Sequence, residues 1–152
     1  MELYRLFRAK YGNPLSGQGA ALRGGRWNSP GTALVYTATN RTLAMAEVLV
    51  HLSLATMPSD YRMAVLYLPD TLPFSRLHAD ALPAHWQDFP PPETLRQHGD
   101  FRVRQNQFVA LQVPSAVTPG DFNLLLNPNH PDFNEVKLLD SSTFDFQRRL
   151  FR

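Results

Sequence analysis

Cysteine is absent from this 152-residue sequence, and so are long apolar runs. Without cysteine the chain can form neither disulfide bonds nor thiolate metal sites, which fits a reducing compartment. No apolar run is long enough to span a bilayer, and the first ten residues, MELYRLFRAK, hold no apolar core of signal-peptide length. We therefore expect a cytoplasmic protein that does not bind membranes.

The sequence also lacks a region in which charge of one sign is concentrated. Lys and Arg number 15 against 13 Asp and Glu, which leaves a formal net charge of +2. The basic residues are scattered, apart from the pair Arg148-Arg149 and Arg152. Nucleic-acid-binding proteins usually gather positive charge into a patch or stripe. A non-enzymatic RNA-binding module is therefore disfavoured, although it stays open as an alternative.

Several common catalytic and binding motifs are not present. No Gly-Lys-Ser/Thr follows the glycine-rich region, which excludes a P-loop, and Gly17-Gln18-Gly19 does not open a helix within a βαβ unit. The chain has no nucleophile elbow of the Gly-x-Ser-x-Gly type. Because the histidines lack metal-ligand spacing, we expect no metal site and assign His78, His85 and His98 to the surface.

The apolar residues that are present specify one domain over residues 1–152. They make up 43% of the chain, which is enough for a sizeable core. One helix is predicted from a cap at Thr39 or Asn40 to about Ala55. Mostly strands around one helix favour an α+β fold. The strands are predicted at 2–9, 33–38, 62–68, 107–113, 122–126 and 136–139, and loops at 12–31 and 69–100, the latter with room for one short helix.

The loop Gly24–Gly31 has an unusual composition, with a cation, a large aromatic, an amide and a Pro-Gly turn after two glycines. Glycine lets the backbone approach a ligand closely, and the arginine fork suits phosphate or carboxylate. The loop could hold a nucleotide. It could equally be a tight connection in which Trp27 fills the core and Arg26 is solvated, and its own residues do not decide between the two.

Glu47 lies in the middle of the predicted helix and shares its face with Leu43, Val50 and His51. A carboxylate in apolar surroundings is rarely buried without a partner. Glu47 either lies on the one solvent-exposed stripe of the helix or lies in a cleft, where its charge serves catalysis. The apolar neighbours favour the cleft.

Two interpretations are also open for Arg5, because it shares a strand face with Leu3 and Phe7. Either it reaches water from an edge strand or it points into a cleft. Taken alone, the strand favours the edge position.

Taken together, these residues resemble the RES-domain family, the toxin half of bacterial RES–Xre toxin–antitoxin pairs. The resemblance covers essentially the whole chain, except that residues 69–100 carry no matching motif. The Arg, Glu and Ser for which the family is named correspond to Arg26, Glu47 and Ser115. The matching positions are Gly24–Gly31, Tyr36, Ala46–Leu49, Pro114-Ser115, Asn123, Asn127-Pro128 and His130-Pro131.

The resemblance implies an ADP-ribosyltransferase-like α+β fold, with a split β core and a few helices around an NAD+ cleft. It implies NAD+ breakdown by phosphorolysis or hydrolysis, and for some members ADP-ribose transfer to a protein. NAD+ would be a substrate, inorganic phosphate a possible co-substrate, and no cofactor would be tightly bound. The implied partner is an Xre-type antitoxin that blocks the active site. A homodimer is expected within the complex, and nucleic acid would be met only through the antitoxin.

The chemistry of nicotinamide–ribose cleavage suggests a role for each matching residue. The leaving group is already cationic, so what helps is a carboxylate that stabilises an oxocarbenium-like ribose, and Glu47 suits that role. Arg26 would bind the pyrophosphate or the attacking phosphate. Tyr36 would stack on nicotinamide or hydrogen-bond the ribose, and Ser115 would position a ribose or phosphate oxygen. The expected NAD+-binding residues are Arg5, Gly24, Gly25, Trp27, Asn28 and Asn127, although turn formation also explains Asn127.

Overall fold

A computed structural model describes residues 1–146, and within them the chain forms one seven-stranded sheet and three α-helices. The terminal Arg148-Arg149 pair and Arg152 lie outside the described residues. The strands are β1 (Glu2–Arg8), β2 (Val35–Ala38), β3 (Tyr61–Tyr67), β4 (Phe74–Arg76), β5 (Ala110–Pro114), β6 (Phe122–Leu126) and β7 (Lys137–Thr143). The helices are α1 (Gln18–Arg23), α2 (Arg41–Leu49) and α3 (Glu93–Gln105).

The sheet is nearly split in its middle. Its order is β4-β5-β6-β2-β1-β3-β7, and every neighbouring pair is antiparallel except β4–β5. β1 pairs with β3 along its whole length, from Glu2↔Tyr67 to Arg8↔Tyr61. In the described chain, β1 meets β2 only at Tyr4↔Ala38. The two halves of the sheet therefore separate beyond that pair, and a cleft opens between them.

Two helices cover neighbouring parts of one sheet face, on either side of this cleft. Tyr36 and Ala38 are two residues apart on β2, so their side chains point to the same face. Tyr36 packs against the cluster that contains Leu95 of α3, whereas Ala38 packs with Leu43 of α2. The opposite face is covered by a third cluster, in which Leu3, Val35, Leu124 and Leu126 are buried.

The helix α2 begins as the sequence predicts, and it ends earlier. The side chain of Asn40 accepts a hydrogen bond from the Leu43 N–H at 2.8 Å, which makes Asn40 the N-cap. The α-helix stops at Leu49, and a 3₁₀ turn at Leu54–Thr56 follows. The prediction of a helix to Ala55 was wrong because apolar spacing alone does not separate a helix from an apolar turn.

Sequence patterns missed most of the structure in the two predicted loops. Residues 12–31 contain the short helix α1, bounded by Gly17 and Gly24, both with positive φ. Residues 69–100 contain β4 and most of α3, which is 13 residues long. In α3 only Leu95, Gly99 and Asp100 are buried, so the helix has almost no apolar stripe to detect.

Two strand boundaries also differ from the prediction. β7 continues to Thr143 although its sequence turns polar after Leu139, because a largely exposed edge strand needs no apolar alternation. β5 begins at Ala110 rather than Gln107, since α3 ends in a left-handed Asn106 just before it. None of the helices described in residues 1–146 has the length and apolar character required to cross a lipid bilayer.

Candidate active site

The cleft at the split in the sheet has a volume of about 950 Å³. Its walls include Arg5 of β1, Tyr36 of β2, Glu47 of α2 and the segment 24–27. The sequence-predicted residues of four separate elements are thus brought together. Among the residues described as lining the cleft, Glu47 is the one carboxylate, and four cations line the same cleft. These cations are Arg5, Arg8, Arg23 and Arg26.

The loop Gly24–Gly31 is held against Tyr36. The Tyr36 hydroxyl donates to Asn28 Oδ1 at 2.5 Å and accepts from the Trp27 N–H at 3.0 Å. A Cβ on Gly25 would lie 2.6 Å from that hydroxyl, so only glycine fits there. Burial raises the pKa of the Tyr36 phenol, which therefore stays protonated at neutral pH. The hydroxyl of Tyr36 is committed to the loop, and its half-buried ring faces the cleft.

Asn28 acts inside the loop rather than in the cleft wall. It is fully buried, and its amide nitrogen donates to the carbonyl oxygens of Ala20 at 2.8 Å and Thr32 at 2.9 Å. Buried polar groups of this kind fix a backbone because leaving them unpaired is costly. Asn28 therefore positions the loop and Tyr36, and it does not line the cleft among the described residues.

Helix α3 braces the same loop from behind. Arg96 Nε donates to the Gly25 carbonyl at 2.9 Å, and Asp100 Oδ1 accepts from the Ser29 N–H at 2.9 Å. Gly99 packs so closely that an added Cβ would overlap the Trp27 carbonyl oxygen. Sequence reasoning missed these three residues of α3. The one available signal was a glycine inside a helix, which usually has a packing reason.

Arg26 reaches across to the segment before α3. Its Nη1 donates to the carbonyl oxygens of Trp86 at 2.7 Å and Asp88 at 3.0 Å. In the described residues Nε and Nη2 make no hydrogen bond, so one edge of the guanidinium is anchored and the other is available. Partial burial lowers the pKa of Arg26, while attraction to the Glu47 carboxylate opposes that shift. Arg26 is therefore anchored at one edge, and it is not the fully solvated side chain of the tight-connection interpretation.

The carboxylate of Glu47 is fixed by Ser115. Ser115 Oγ donates to Glu47 Oε1 at 2.9 Å and accepts from the N–H groups of Val117 at 3.1 Å and Thr118 at 3.0 Å. These three bonds use the hydroxyl fully, and the Ser115 side chain is buried. Ser115 thus orients Glu47, whereas the sequence prediction had it hold a ligand oxygen directly.

Arg5 is enclosed in the middle of the sheet. β1 lies between β2 and β3, so the edge-strand interpretation of Arg5 is wrong. Its Nη1 donates to the Tyr36 carbonyl at 2.9 Å, and its solvent-inaccessible Nε has no partner among the described residues. Burial lowers the pKa of Arg5 to about 10, so the group is still cationic at neutral pH. An uncompensated cation at this place attracts an anionic ligand.

Two further predicted residues belong to the scaffold. Asn127 is fully buried, donates to Asn106 Oδ1 at 2.9 Å and accepts from the Asn129 N–H at 3.1 Å. It is not among the described cleft residues, which agrees with turn formation rather than substrate contact. Trp27 borders the cleft, although its side chain is buried beside Leu95 in the core.

The sequence predicts no metal site and places three histidines at the surface. His78, His85 and His98 are exposed, as predicted. In residues 1–146 the His, Asp and Glu side chains form no group of three that could hold a metal ion.

Several known proteins are similar to this chain. A protein named Toxin Res from Photorhabdus laumondii is 38% identical over 145 residues, which cover 92% of each sequence. Another Toxin Res, from Yersinia enterocolitica, is 33% identical over 99% of both sequences. The Prs ADP-ribosylating toxin of a Sphingobium species is 34% identical, covering 91% of this chain and 87% of that protein.

A solved structure supports the fold. A chain of the M. tuberculosis MbcT–MbcA toxin–antitoxin complex superposes with a TM-score of 0.74 and covers 95% of this chain and 84% of its own length. At 20% identity this likeness shows the fold alone. The expected ADP-ribosyltransferase-like α+β architecture is confirmed. The RES domain family itself matches residues 2–148, and with relatives more than 30% identical over nearly their full lengths, the chain belongs to that family.

Proposed function

We propose that this chain cleaves the nicotinamide–ribose bond of NAD+ in the cleft at the split in the sheet. The observation that carries the proposal is the Glu47 carboxylate, fixed by Ser115 in a cleft that also holds the cations Arg5 and Arg26. A dinucleotide offers the matching pattern, because its pyrophosphate is anionic and its reacting ribose becomes positively charged on cleavage. The Sphingobium relative, called an ADP-ribosylating toxin, supports the same substrate class.

In the proposed reaction the bond between ribose C1 and the pyridine nitrogen breaks, and its electron pair leaves with neutral nicotinamide. Glu47 stabilises the positive charge that develops on the ribose and accepts a hydrogen bond from a ribose hydroxyl. A phosphate oxygen then bonds to C1 and gives the 1-phosphate ester of ADP-ribose. If water attacks C1 in place of phosphate, the products are ADP-ribose and a proton.

The cations hold the anionic parts of the substrate. Arg26 uses its free guanidinium edge for pyrophosphate or for the attacking phosphate, and Arg5 supplies a second contact through Nη2, which is neither buried nor hydrogen-bonded among the described residues. Gly24 and Gly25 border the cleft, and their missing Cβ atoms let the loop fold tightly against Pro30 and Tyr36, which sets the shape of this wall. Trp27 and Asn28 shape this wall from within the loop.

An incubation with NAD+ in phosphate buffer and in phosphate-free buffer tests the proposal. Nicotinamide release is followed by ¹H NMR. If phosphorolysis operates, nicotinamide should appear only in phosphate buffer, together with a new phosphate ester detected by ³¹P NMR. Nicotinamide and ADP-ribose as the products in both buffers would assign hydrolysis. Intact NAD+ in both buffers would reject the proposal.

The cellular role we propose is that of a cytoplasmic toxin in a toxin–antitoxin pair, with NAD+ as substrate and no tightly bound cofactor. It is supported by relatives named Toxin Res and by the likeness to a chain of a toxin–antitoxin complex. In this proposal an Xre-type antitoxin covers the cleft, the toxin forms a homodimer within the complex, and nucleic acid is contacted by the antitoxin. Co-expression with an antitoxin should relieve growth arrest, and light scattering of the complex measures the stoichiometry.

A second candidate is ADP-ribose transfer to a cellular protein, favoured by the name of the Sphingobium relative. It would use the same cleft. Labelled NAD+ in a lysate should then tag a protein band with little loss of bulk NAD+. Rapid loss of NAD+ without a labelled band would exclude it.

Replacing Ser115 by alanine should reduce turnover mainly through kcat. The Glu47 carboxylate loses its orienting donor, and two backbone N–H groups lose their acceptor. We expect kcat to fall about 10-fold with little change in KM, and stability to fall by about 1–2 kcal/mol. Ser142→Ala, at an exposed position on β7, is the matched control and should change neither. A rise in KM alone would argue for direct substrate contact by Ser115.

Replacing Arg5 by methionine should separate binding from stability. Methionine has a similar length and removes the enclosed charge, so the thermal midpoint should stay equal or rise. Binding of ADP-ribose, measured by calorimetry, should weaken about 10- to 100-fold, because a charge-assisted hydrogen bond is lost. The exposed Arg104→Met should alter neither quantity. Unchanged binding in Arg5→Met would remove Arg5 from the site.

A further inference from the structure

Residues 86–89, which we call the mouth segment, border the cleft in the region where the sequence carries no family motif. Gln87 and Phe89 of this segment line the cleft. Phe89 is 74% exposed, so its ring is open to solvent at the wall of the cleft. An aromatic ring at the wall of a cleft offers a flat apolar face to a ligand bound there.

The backbone of the mouth segment is held in position on both sides of Gln87. The carbonyl oxygens of Trp86 and Asp88 accept hydrogen bonds from Arg26, and the Asp88 N–H donates to the His85 carbonyl at 3.0 Å. The Trp86 side chain packs against the core cluster that contains Leu95. The exposed ring of Phe89 therefore projects from an anchored backbone, so ordering it for a ligand costs little entropy.

The Phe89 ring lies beside the turn that ends the Glu47 helix, α2. Phe89 contacts His51, with ring centroids 5.2 Å apart and planes tilted by 45°. His51 follows Glu47 by four residues, and both line the cleft. Phe89 is thus next to the turn that directly follows the helix of the carboxylate, whereas the cation Arg23 lies beside Tyr11.

Resting on the proposed function, we propose that Phe89 provides the face on which the pyridine ring of the substrate packs. The pyridine ring is bonded to the ribose carbon whose developing charge Glu47 stabilises, so the ring must lie near Glu47. Before cleavage the ring is a planar cation, which is attracted to an aromatic face both by stacking and by its charge. Tyr36 is less suited, because its hydroxyl is fixed to the loop and its ring is half-buried.

Calorimetry with two ligands tests this inference, using the Glu47→Gln protein to prevent turnover. Phe89→Ala should weaken NAD+ binding about 3- to 10-fold. It should leave ADP-ribose binding within about 2-fold, because ADP-ribose has no pyridine ring. Phe89→Tyr, which keeps an aromatic face, should restore NAD+ binding. Phe101→Ala removes an exposed ring outside the described cleft wall and is the control.

The outcomes separate the two proposals. Equal binding of NAD+ before and after Phe89→Ala, or an equal loss for both ligands, would overturn the role of Phe89 while the cleft remains the dinucleotide site. Failure of the Glu47→Gln protein to bind either ligand, together with no cleavage of NAD+ by the native chain, would overturn the proposed function and this inference with it.

Discussion

In the Glu47→Gln variant we expect NAD+ cleavage to fall by about 10²- to 10³-fold while the fold is retained. Glutamine has the same shape and can still accept the Ser115 hydrogen bond, but it lacks the negative charge that stabilises the developing oxocarbenium. The loss should appear in kcat more than in substrate binding, since the charge acts mainly in the transition state. Nicotinamide release, measured over a range of NAD+ concentrations, gives both parameters.

A matched substitution separates this effect from a general loss of charge. Glu135→Gln changes an exposed carboxylate outside the described cleft wall and should leave the rate unchanged. The thermal midpoints of the three proteins should agree within about 2 °C, because surface and isosteric changes have small effects on stability. Near-native turnover in Glu47→Gln would make Glu47 a structural residue.

Gly99→Ala should destabilise the protein more than any of the other substitutions. Its Cβ would overlap the Trp27 carbonyl oxygen and lie 2.7 Å from the carbonyl carbon, so α3 would have to move off the loop. Because the obstacle is backbone rather than a flexible side chain, we expect a loss at the upper end for overpacking, about 3 kcal/mol. Urea denaturation of the purified protein measures it.

Gly19→Ala is the control for Gly99→Ala. Gly19 lies in the helix α1, and a Cβ there meets nothing within 4 Å. Alanine favours a helix over glycine, so this variant should be unchanged or more stable by about 0.5–1 kcal/mol. If Gly99→Ala is as stable as Gly19→Ala, α3 does not brace the loop in the way described.

The cleft residues were predictable because their chemistry conflicts with their local surroundings. Glu47 on an apolar helix and Arg5 on an apolar strand both violate ordinary patterning, and such conflicts concentrate at functional sites. The structure brings Arg5, Arg26, Tyr36 and Glu47 together around one cleft. Their roles in substrate binding and catalysis stay predictions.

The supporting residues were not predictable, because their contacts are long-range and their patterns are ordinary. Arg96 and Asp100 lie on a polar helix that has almost no apolar stripe, yet they bind the loop that carries Arg26. Phe89 follows a loop-like segment, so only the fold brings it beside His51. Conversely, Asn127 belongs to the family motif, but its side chain hydrogen-bonds Asn106 and the turn after β6.

The most direct test of the central claim is a time course of nicotinamide release from NAD+ by the purified native chain and by Glu47→Gln. We predict that the native chain releases one nicotinamide for each NAD+ lost, and that Glu47→Gln releases it at least about 100-fold more slowly. NAD+ that remains intact with the native chain, or equal rates for the two proteins, would contradict a cleft in which Glu47 drives cleavage of the nicotinamide–ribose bond.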